Sequence, residues 1–343
     1  MLKDKTALLL VNVGTPNNPS VQAVRRYLYQ FLNDPRVIDL PWLARKILVN
    51  LIIVPFRAPK SAKLYQRLWT DEGSPLLTNT LRLQEKLQKS LDSQADVFVG
   101  MRYQAPSIRK AAESIKKGGY TRLIVLPMFP QYASSTSGTA SQAVMEEIVK
   151  WNTIPHVHFI NQFYNHPAFV DAFAQRIAAY QPNTYDFVLF SYHGLPNNHN
   201  DKSHPGIPSA QCECEKAMPP HGQFCYKAAC YETTRLLVEK LNLQGDKFTT
   251  AFQSRLSSNW MQPFTDKTLN MLAQKGIKRL LVVAPSFTAD CLETTDEIGH
   301  EYKKEFMAAG GEQLTLVESL NDSDPWVDAL KQILASYLST PIY

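Results

Sequence analysis

Leu123-Ile124-Val125-Leu126 and Leu280-Leu281-Val282-Val283 are short, unbroken apolar runs. A strand with one wet face alternates apolar and polar residues, whereas a strand covered on both faces does not need to. These two runs therefore read as strands of a parallel sheet with helices on either side. Similar runs recur near 6 to 13, 96 to 101, 156 to 160, 186 to 192, 247 to 252 and 314 to 318, and the two quoted runs extend over 122 to 128 and 279 to 284. Helical patterns fill the gaps near 20 to 33, 77 to 91, 106 to 117, 137 to 151, 167 to 181, 228 to 241, 263 to 275, 290 to 309 and 323 to 338. Strand and helix in alternation predict an α/β protein.

The layout repeats. It predicts two similar Rossmann-like lobes, each a parallel sheet flanked by helices, with a cleft between them. Tyr164-Asn165-His166-Pro167 is the expected hinge, because the residue before a proline is pushed out of helical geometry. The first lobe is expected over 1–164, with the final helix, 322–343, packing back on it. The second is expected over 165–321, carrying an inserted cysteine segment at 197–230.

With 44% hydrophobic and 20% charged residues among 343, the chain has the composition of a globular protein rather than a disordered or membrane-embedded one. A net charge of +5 from scattered Lys and Arg gives no nucleic-acid footprint. The opening Met1-Leu2-Lys3-Asp4-Lys5 runs into Ala7-Leu8-Leu9-Leu10-Val11 with no cleavage site behind it, so it reads as a first strand in a cytoplasmic protein. Residues 47 to 56 form the longest apolar stretch, about half a bilayer span, followed by Arg57, Lys60 and Lys63. Two readings stand there: a helix packed on its own lobe, or one lying on the inner face of a membrane as a peripheral contact.

In open α/β sheets, ligands sit outside the carboxyl ends of the strands. His193 falls at such an end, in Phe190-Ser191-Tyr192-His193-Gly194-Leu195-Pro196. A neutral imidazole both binds metals and accepts protons near neutrality, although a lone histidine there is more often structural. After the strand ending at Ala284-Pro285, Glu293, Glu297 and Glu301 recur every four residues, with Asp290 three residues ahead. On a helix these carboxylates share one face about 6 Å apart, an arrangement that repels itself. Such a row can pass a divalent cation or take up protons. The plainer reading is a solvated acidic face favoured by the helix dipole.

Four of the five cysteines, Cys212, Cys214, Cys225 and Cys230, crowd into a loop rich in Asn, Pro, His and Gly. In a cytosolic protein this suggests a metal or cluster site rather than disulfides. The C-x-C-x10-C-x4-C spacing lacks the paired knuckles of structural zinc, and cluster ligation is more permissive. Cys291, between Asp290 and Glu293, is either part of the metal path or a small buried residue.

Six ordered segments then carry a resemblance: Asn12-Val13-Gly14-Thr15-Pro16, Arg102-Tyr103, Pro130-Gln131-Tyr132-Ala133-Ser134-Ser135-Thr136-Ser137-Gly138, Ser191-Tyr192-His193-Gly194-Leu195-Pro196, Phe252-Gln253-Ser254-Arg255 with Trp260, and Asp290-Cys291-Leu292-Glu293-Thr294. Together they resemble the signature segments of ferrochelatases, from about residue 6 to residue 320. The resemblance implies a lyase of haem biosynthesis that inserts Fe2+ into protoporphyrin IX. It implies His193 and Glu293 as catalytic partners facing each other across the cleft, from strand ends of separate lobes. It implies Glu297 and Glu301, with Asp290, as the metal or proton path.

By motif position it offers Val13, Trp69, Leu76 and Trp260 as walls for the porphyrin. Arg67, Ser74, Ser135 and Thr136 would meet propionates or ring edges, and Tyr132 is a further contact. Some family members carry a 2Fe-2S cluster on four internal cysteines, which is the expectation for Cys212, Cys214, Cys225 and Cys230, with zinc or free thiols as alternatives. The remaining implied partners are ferrous iron and an upstream porphyrin-forming enzyme that hands over the substrate, to a monomer or homodimer. Coproporphyrin III as substrate, or another tetrapyrrole metal chelatase, is the nearest alternative. A dinucleotide-dependent oxidoreductase is disfavoured because no G-x-G-x-x-G follows a predicted strand.

Overall fold

The computed structural model describes residues 5–204 and 206–339, with only the backbone of Ala210. Residues 1–4, read as leading into the first strand, and 340–343, read as the end of the last helix, lie outside the described residues. The chain divides into two compact units. One comprises the chain up to Phe129, Ala133–Gln162 and everything from Asp322 on; the other comprises Pro130–Tyr132 and Phe163–Asn321.

The first unit holds a parallel sheet of β1 (Thr6–Gly14), β2 (Asp96–Tyr103), β3 (Arg122–Pro127) and β4 (His156–Phe159), ordered β2-β1-β3-β4. Ala7, Leu9 and Val11 of β1 pack with Leu123 and Val125 of β3 against the helices Ile108–Gly118 and Thr139–Ile148. Leu8 and Leu10, pointing the other way, are equally buried. Both faces are dry, which is why the strand does not alternate. Local chemistry sets the first of these helices: the Ser107 hydroxyl accepts from the Lys110 amide at its start, and Gly119 takes the left-handed conformation that ends it. The buried Asp34 carboxylate accepts from Arg102 Nη2, the Tyr103 hydroxyl and Thr139 Oγ1 at 2.7, 2.9 and 2.6 Å. That bond set ties the end of β2 to the helix after β3.

The second unit repeats the scheme with β5 (Phe187–His193), β6 (Phe248–Gln253), β7 (Arg279–Val283) and β8 (Gln313–Leu316), ordered β6-β5-β7-β8 and again parallel. Leu189, Ala251, Leu280 and Val282 pack there against Leu269, Leu272, Ile298 and Phe306 from the helices that follow. In each sheet the chain steps outward on one side of its first strand and then crosses to the other. The switch points therefore fall between β1 and β3, and between β5 and β7. In open sheets of this kind the loops leaving such a strand pair diverge, and the crevice between them is the usual place for a ligand.

Two helical segments differ from the sequence expectation. Residues 42 to 68, where only 47 to 56 drew attention, form a continuous helical stretch: Trp42–Ile47, a π-helical middle at Leu48–Ile53, and Val54–Leu68. The stretch expected as one regular helix over 290 to 309 is π-helical from Leu292 to Tyr302 and α-helical only over Lys303–Ala308. Widened turns of this kind are rare and concentrate at functional sites.

Candidate active site

His193 is the last residue of β5, and the acidic helix leaves the end of β7, the neighbour that β5 pairs with directly. The histidine and the acidic row thus belong to one unit and one switch point. The expectation that they face each other from separate lobes is corrected by this pairing. Facing loops do not need separate sheets when two adjacent strands diverge.

His193 is partly buried and held from three sides. Its amide donates to Ser286 Oγ at 3.3 Å, its carbonyl accepts from the Tyr226 hydroxyl at 2.9 Å, and its Nδ1 lies 2.7 Å from the Gly194 carbonyl. A carbonyl only accepts, so Nδ1 carries the hydrogen and the Nε2 lone pair is left to take a proton or a metal. Trp260 and Phe287 flank the imidazole at 6.4 and 6.3 Å between ring centres. Gly194 makes room for this: a Cβ there would lie 2.8 Å from the Gln253 carbonyl and 3.5 Å from the Trp260 ring.

Gln253, across from His193 in the β5–β6 register, is the hub. It is buried, accepts from Ser191 Oγ at 2.8 Å, and donates through Nε2 to the Glu293 carbonyl at 2.8 Å and to Glu297 Oε2 at 3.2 Å. Glu297 also accepts from the Ser254 amide at 2.9 Å, the Ser254 hydroxyl at 2.6 Å and the Tyr302 hydroxyl at 2.8 Å. Those donors favour its ionised form. Burial outweighs them and raises its pKa above the ordinary carboxylate value, while His193 pulls it down and Glu293 pushes it up. Glu297 is thus within electrostatic reach of both.

Glu293 is partly buried, Glu301 is exposed, and one step further Glu305 is exposed as well. Burial and the nearby charges of Asp266, Glu301 and Glu297 raise the Glu305 pKa. The acidic line therefore runs from the imidazole to solvent and is longer by one carboxylate than the sequence suggested. Asp290 stands apart from that line. It precedes the helix, and its carboxylate accepts from Thr294 Oγ1, the Ser319 amide and Asn321 Nδ2 at 3.2, 3.1 and 2.7 Å. It anchors the helix entrance. Cys291 is the buried cap of the same helix, and burial and then Glu293 push its thiol well up, so it stays protonated.

Three of the first unit's predicted porphyrin contacts lie at the ends of β1 and β3, its switch-point strands. Val13 is at the end of β1 and partly buried, while Ser135 and Thr136 are in a π-helical turn, Ser134–Gly138, after β3. Ser74 is buried and its Oγ accepts from Thr15 Oγ1 at 2.9 Å. Leu76 is buried, Trp69 is half-buried against Tyr65, and Arg67 is exposed. Tyr132 belongs to the second unit, its ring 5.9 Å from that of Phe224, as does Trp260.

Of the four clustered cysteines, Cys212, Cys214 and Cys225 pack together with Ala228. Cys212 and Cys225 also share a buried group with His204, ligand atoms all within 4.8 Å of one another. Cys230 belongs to neither set, although Cys225 lies within electrostatic reach of it. It stands in the helix Tyr226–Leu241, five residues past Cys225 and so about 140° further round the axis, fully buried against Tyr226 and Tyr192.

Gln253, Ser254, Tyr302, Tyr226 and Glu305 were not singled out by the sequence. Gln253 and Ser254 lie inside a quoted motif, but an amide and a hydroxyl at a strand end carry no spacing signal. Glu305 was in plain view as the next member of the every-fourth series.

Two parallel sheets with a histidine and a carboxylate helix at one switch point define a protein of the chelatase fold. SirB from Bacillus subtilis, solved with Fe3+, superposes with a TM-score of 0.57 over 98% of this chain and 96% of that one at 13% identity, a likeness of fold. At the level of sequence, the family model described as Ferrochelatase matches residues 5–338. The ferrochelatase of Coxiella burnetii is 44% identical over 338 residues, 96% of this chain and 93% of that protein. The ferrochelatase of Legionella pneumophila is 42% identical over 334 residues, 96% of this chain and 98% of that protein. The chain belongs to the ferrochelatase family: it is a lyase of haem biosynthesis that inserts iron into a porphyrin.

Proposed function

We propose that the porphyrin is protoporphyrin IX and that His193, with Glu293 and Glu297, carries the reaction. A free-base porphyrin holds two pyrrole hydrogens, and Fe2+ insertion releases both as protons while four Fe–N bonds form. Two acceptors are needed close together. His193 Nε2 takes the first proton, because Nδ1 is already committed to the Gly194 carbonyl. Glu293, partly buried one helix away, faces the incoming ion or the second proton. Glu297 receives protons and passes them outward along Glu301 and Glu305. The single observation that carries this reading is Glu297, buried, held by four hydrogen bonds and within electrostatic reach of His193.

Val13, Arg67, Trp69, Ser74, Leu76, Tyr132, Ser135, Thr136 and Trp260 are the proposed porphyrin contacts, on the strength of the family resemblance. Imidazole and carboxylate ligands suit ferrous iron and accept zinc too, because affinity alone discriminates little between them. Coproporphyrin III is the competing substrate. A 2Fe-2S cluster on Cys212, Cys214, Cys225 and Cys230 is supported by the family resemblance alone, and no step of the reaction is assigned to it.

A peripheral membrane contact also belongs to this reading. Trp42, Leu43, Leu51 and Phe56 of the helical stretch from 42 to 68 are 62 to 73% exposed, beside Lys46, Arg57 and Lys60. Apolar side chains with a basic fringe suit an anionic lipid surface. No helix among the described residues is long and apolar enough to cross a membrane.

Anaerobic assays with ferrous iron and either porphyrin, followed by absorbance of the metallated product, test the proposal. Protoporphyrin is expected to turn over faster than coproporphyrin, and His193→Ala is expected to abolish turnover with both. A preference for coproporphyrin would reassign the substrate, and an active His193→Ala would remove the histidine from the chemistry.

A further inference from the structure

We propose that His204, Cys212, Cys214 and Cys225 hold a single tetrahedral metal ion of the zinc class, and that Cys230 is not a ligand. Two independent observations support this. The first is the convergence of donors: one atom each from His204, Cys212 and Cys225 lies within 4.8 Å of the others, and Cys214 packs in the same small cluster. Around one ion at about 2.3 Å from each sulfur, tetrahedral donors lie about 3.7 Å apart. Donors split between the two irons of a 2Fe-2S cluster must reach farther apart than that. A gathered set therefore fits one ion, and modest closure completes it.

The second observation is His204 itself. It is 5% exposed, and among the described residues neither ring nitrogen reaches hydrogen-bond geometry with a partner, the Cys225 thiol being its near neighbour. A buried imidazole left this way gives up the hydration of both nitrogens for little in exchange, which is costly. A metal bond to one of them removes that penalty. His221, its ring 5.2 Å from that of His204 and its Nε2 3.5 Å from Cys212 Sγ, stands next to the group.

The loop is built to bring these residues together. Asp201 accepts from both the amide and the hydroxyl of Ser209, folding the segment between His204 and Cys212 back on itself. Cys225 caps the helix Tyr226–Leu241, its sulfur accepting from the Ala228 amide at 3.3 Å, and donates toward Asn200 Oδ1 at 3.6 Å. A metal at Cys225 would fix the start of that helix, and Tyr226, the next residue, holds the His193 carbonyl. The ion is thereby a clasp for the loop and for the backbone behind the imidazole. It takes no part in the reaction. The proposal concerns metal content and stands independently of the substrate assignment above.

The test is metal analysis of the purified full chain, together with cobalt(II) titration, in which thiolate-to-cobalt charge-transfer bands report tetrahedral sulfur coordination. One ion per chain without inorganic sulfide is expected. Outer partners of metal ligands alone cost roughly 10–100-fold in affinity, so His204→Ala and Cys225→Ser should weaken cobalt binding by at least about that much. Cys230→Ser should bind as the unaltered protein does. His204→Cys, which keeps four donors, should retain the ion and guards against loss through misfolding. Two irons with sulfide, lost in Cys230→Ser and kept in His204→Ala, would overturn the proposal in favour of the four-cysteine cluster. A chain that binds no ion with these residues intact would overturn it too.

Discussion

At the scale of single residues, the site turns on how proton affinity is set at Glu297. Its pKa is raised, so its carboxylate form, the proton acceptor, fills in only above the ordinary value of about 4.3. The acid limb of the kcat/KM pH profile is therefore expected above that pH. The Ser254 hydroxyl favours the ionised form, so Ser254→Ala should move the limb to higher pH; a shift to lower pH, or none, would break the link between this carboxylate and the limb. The linkage sign agrees with this. A raised folded-state pKa means that the native chain binds the proton more tightly than the unfolded one. Glu297 thus contributes stability below the unfolded value and loses it as pH rises through the raised one. Gly194→Ala makes a steric prediction: a methyl 2.8 Å from the Gln253 carbonyl must displace β6 or Trp260, so turnover should fall at least about tenfold. Steady-state kinetics beside an unaltered circular dichroism spectrum would check it.

At the scale of elements, the strands were the most legible part. Every run read as a strand is one, and the central strands β1, β3 and β7 show why: burial on both faces leaves an unbroken apolar signature. The helix from Leu292 to Tyr302 was legible in extent and not in kind. Apolar periodicity does not distinguish α from π winding when only a few turns are involved. Asp290 was placed on the helix face by counting residues, whereas its side chain anchors the entrance. Its carboxylate is taken up by the Thr294 hydroxyl and by the Ser319–Asn321 segment, an anchoring that residue spacing does not reveal. His204 left no sequence signal, since it is one of several histidines in a polar loop, with His199 and His221, and no spacing sets it apart. The stretch from 42 to 68 carries its own prediction. Phe56→Lys with Leu51→Lys should weaken co-sedimentation with anionic vesicles without lowering the thermal midpoint; undiminished binding would assign those side chains another role.

At the scale of the whole molecule, two sheets of the same order, each with a switch point beside its first strand, account for where the quoted motifs fall. The segments at the ends of β1, β2 and β3 serve one sheet, and those at the ends of β5, β6 and β7 the other. The chemistry concentrates in the second, where His193, Gln253 and the acidic helix converge on adjacent strand ends. The central claim is that this convergence, and not porphyrin binding, makes the chain a catalyst. The most direct measurement pairs porphyrin affinity, read by fluorescence quenching, with single-turnover iron insertion in Glu293→Gln and Glu297→Gln. Affinity within a factor of about two of the unaltered protein, with insertion slowed at least about 100-fold, is the predicted result. Insertion at the unaltered rate in both variants would contradict it.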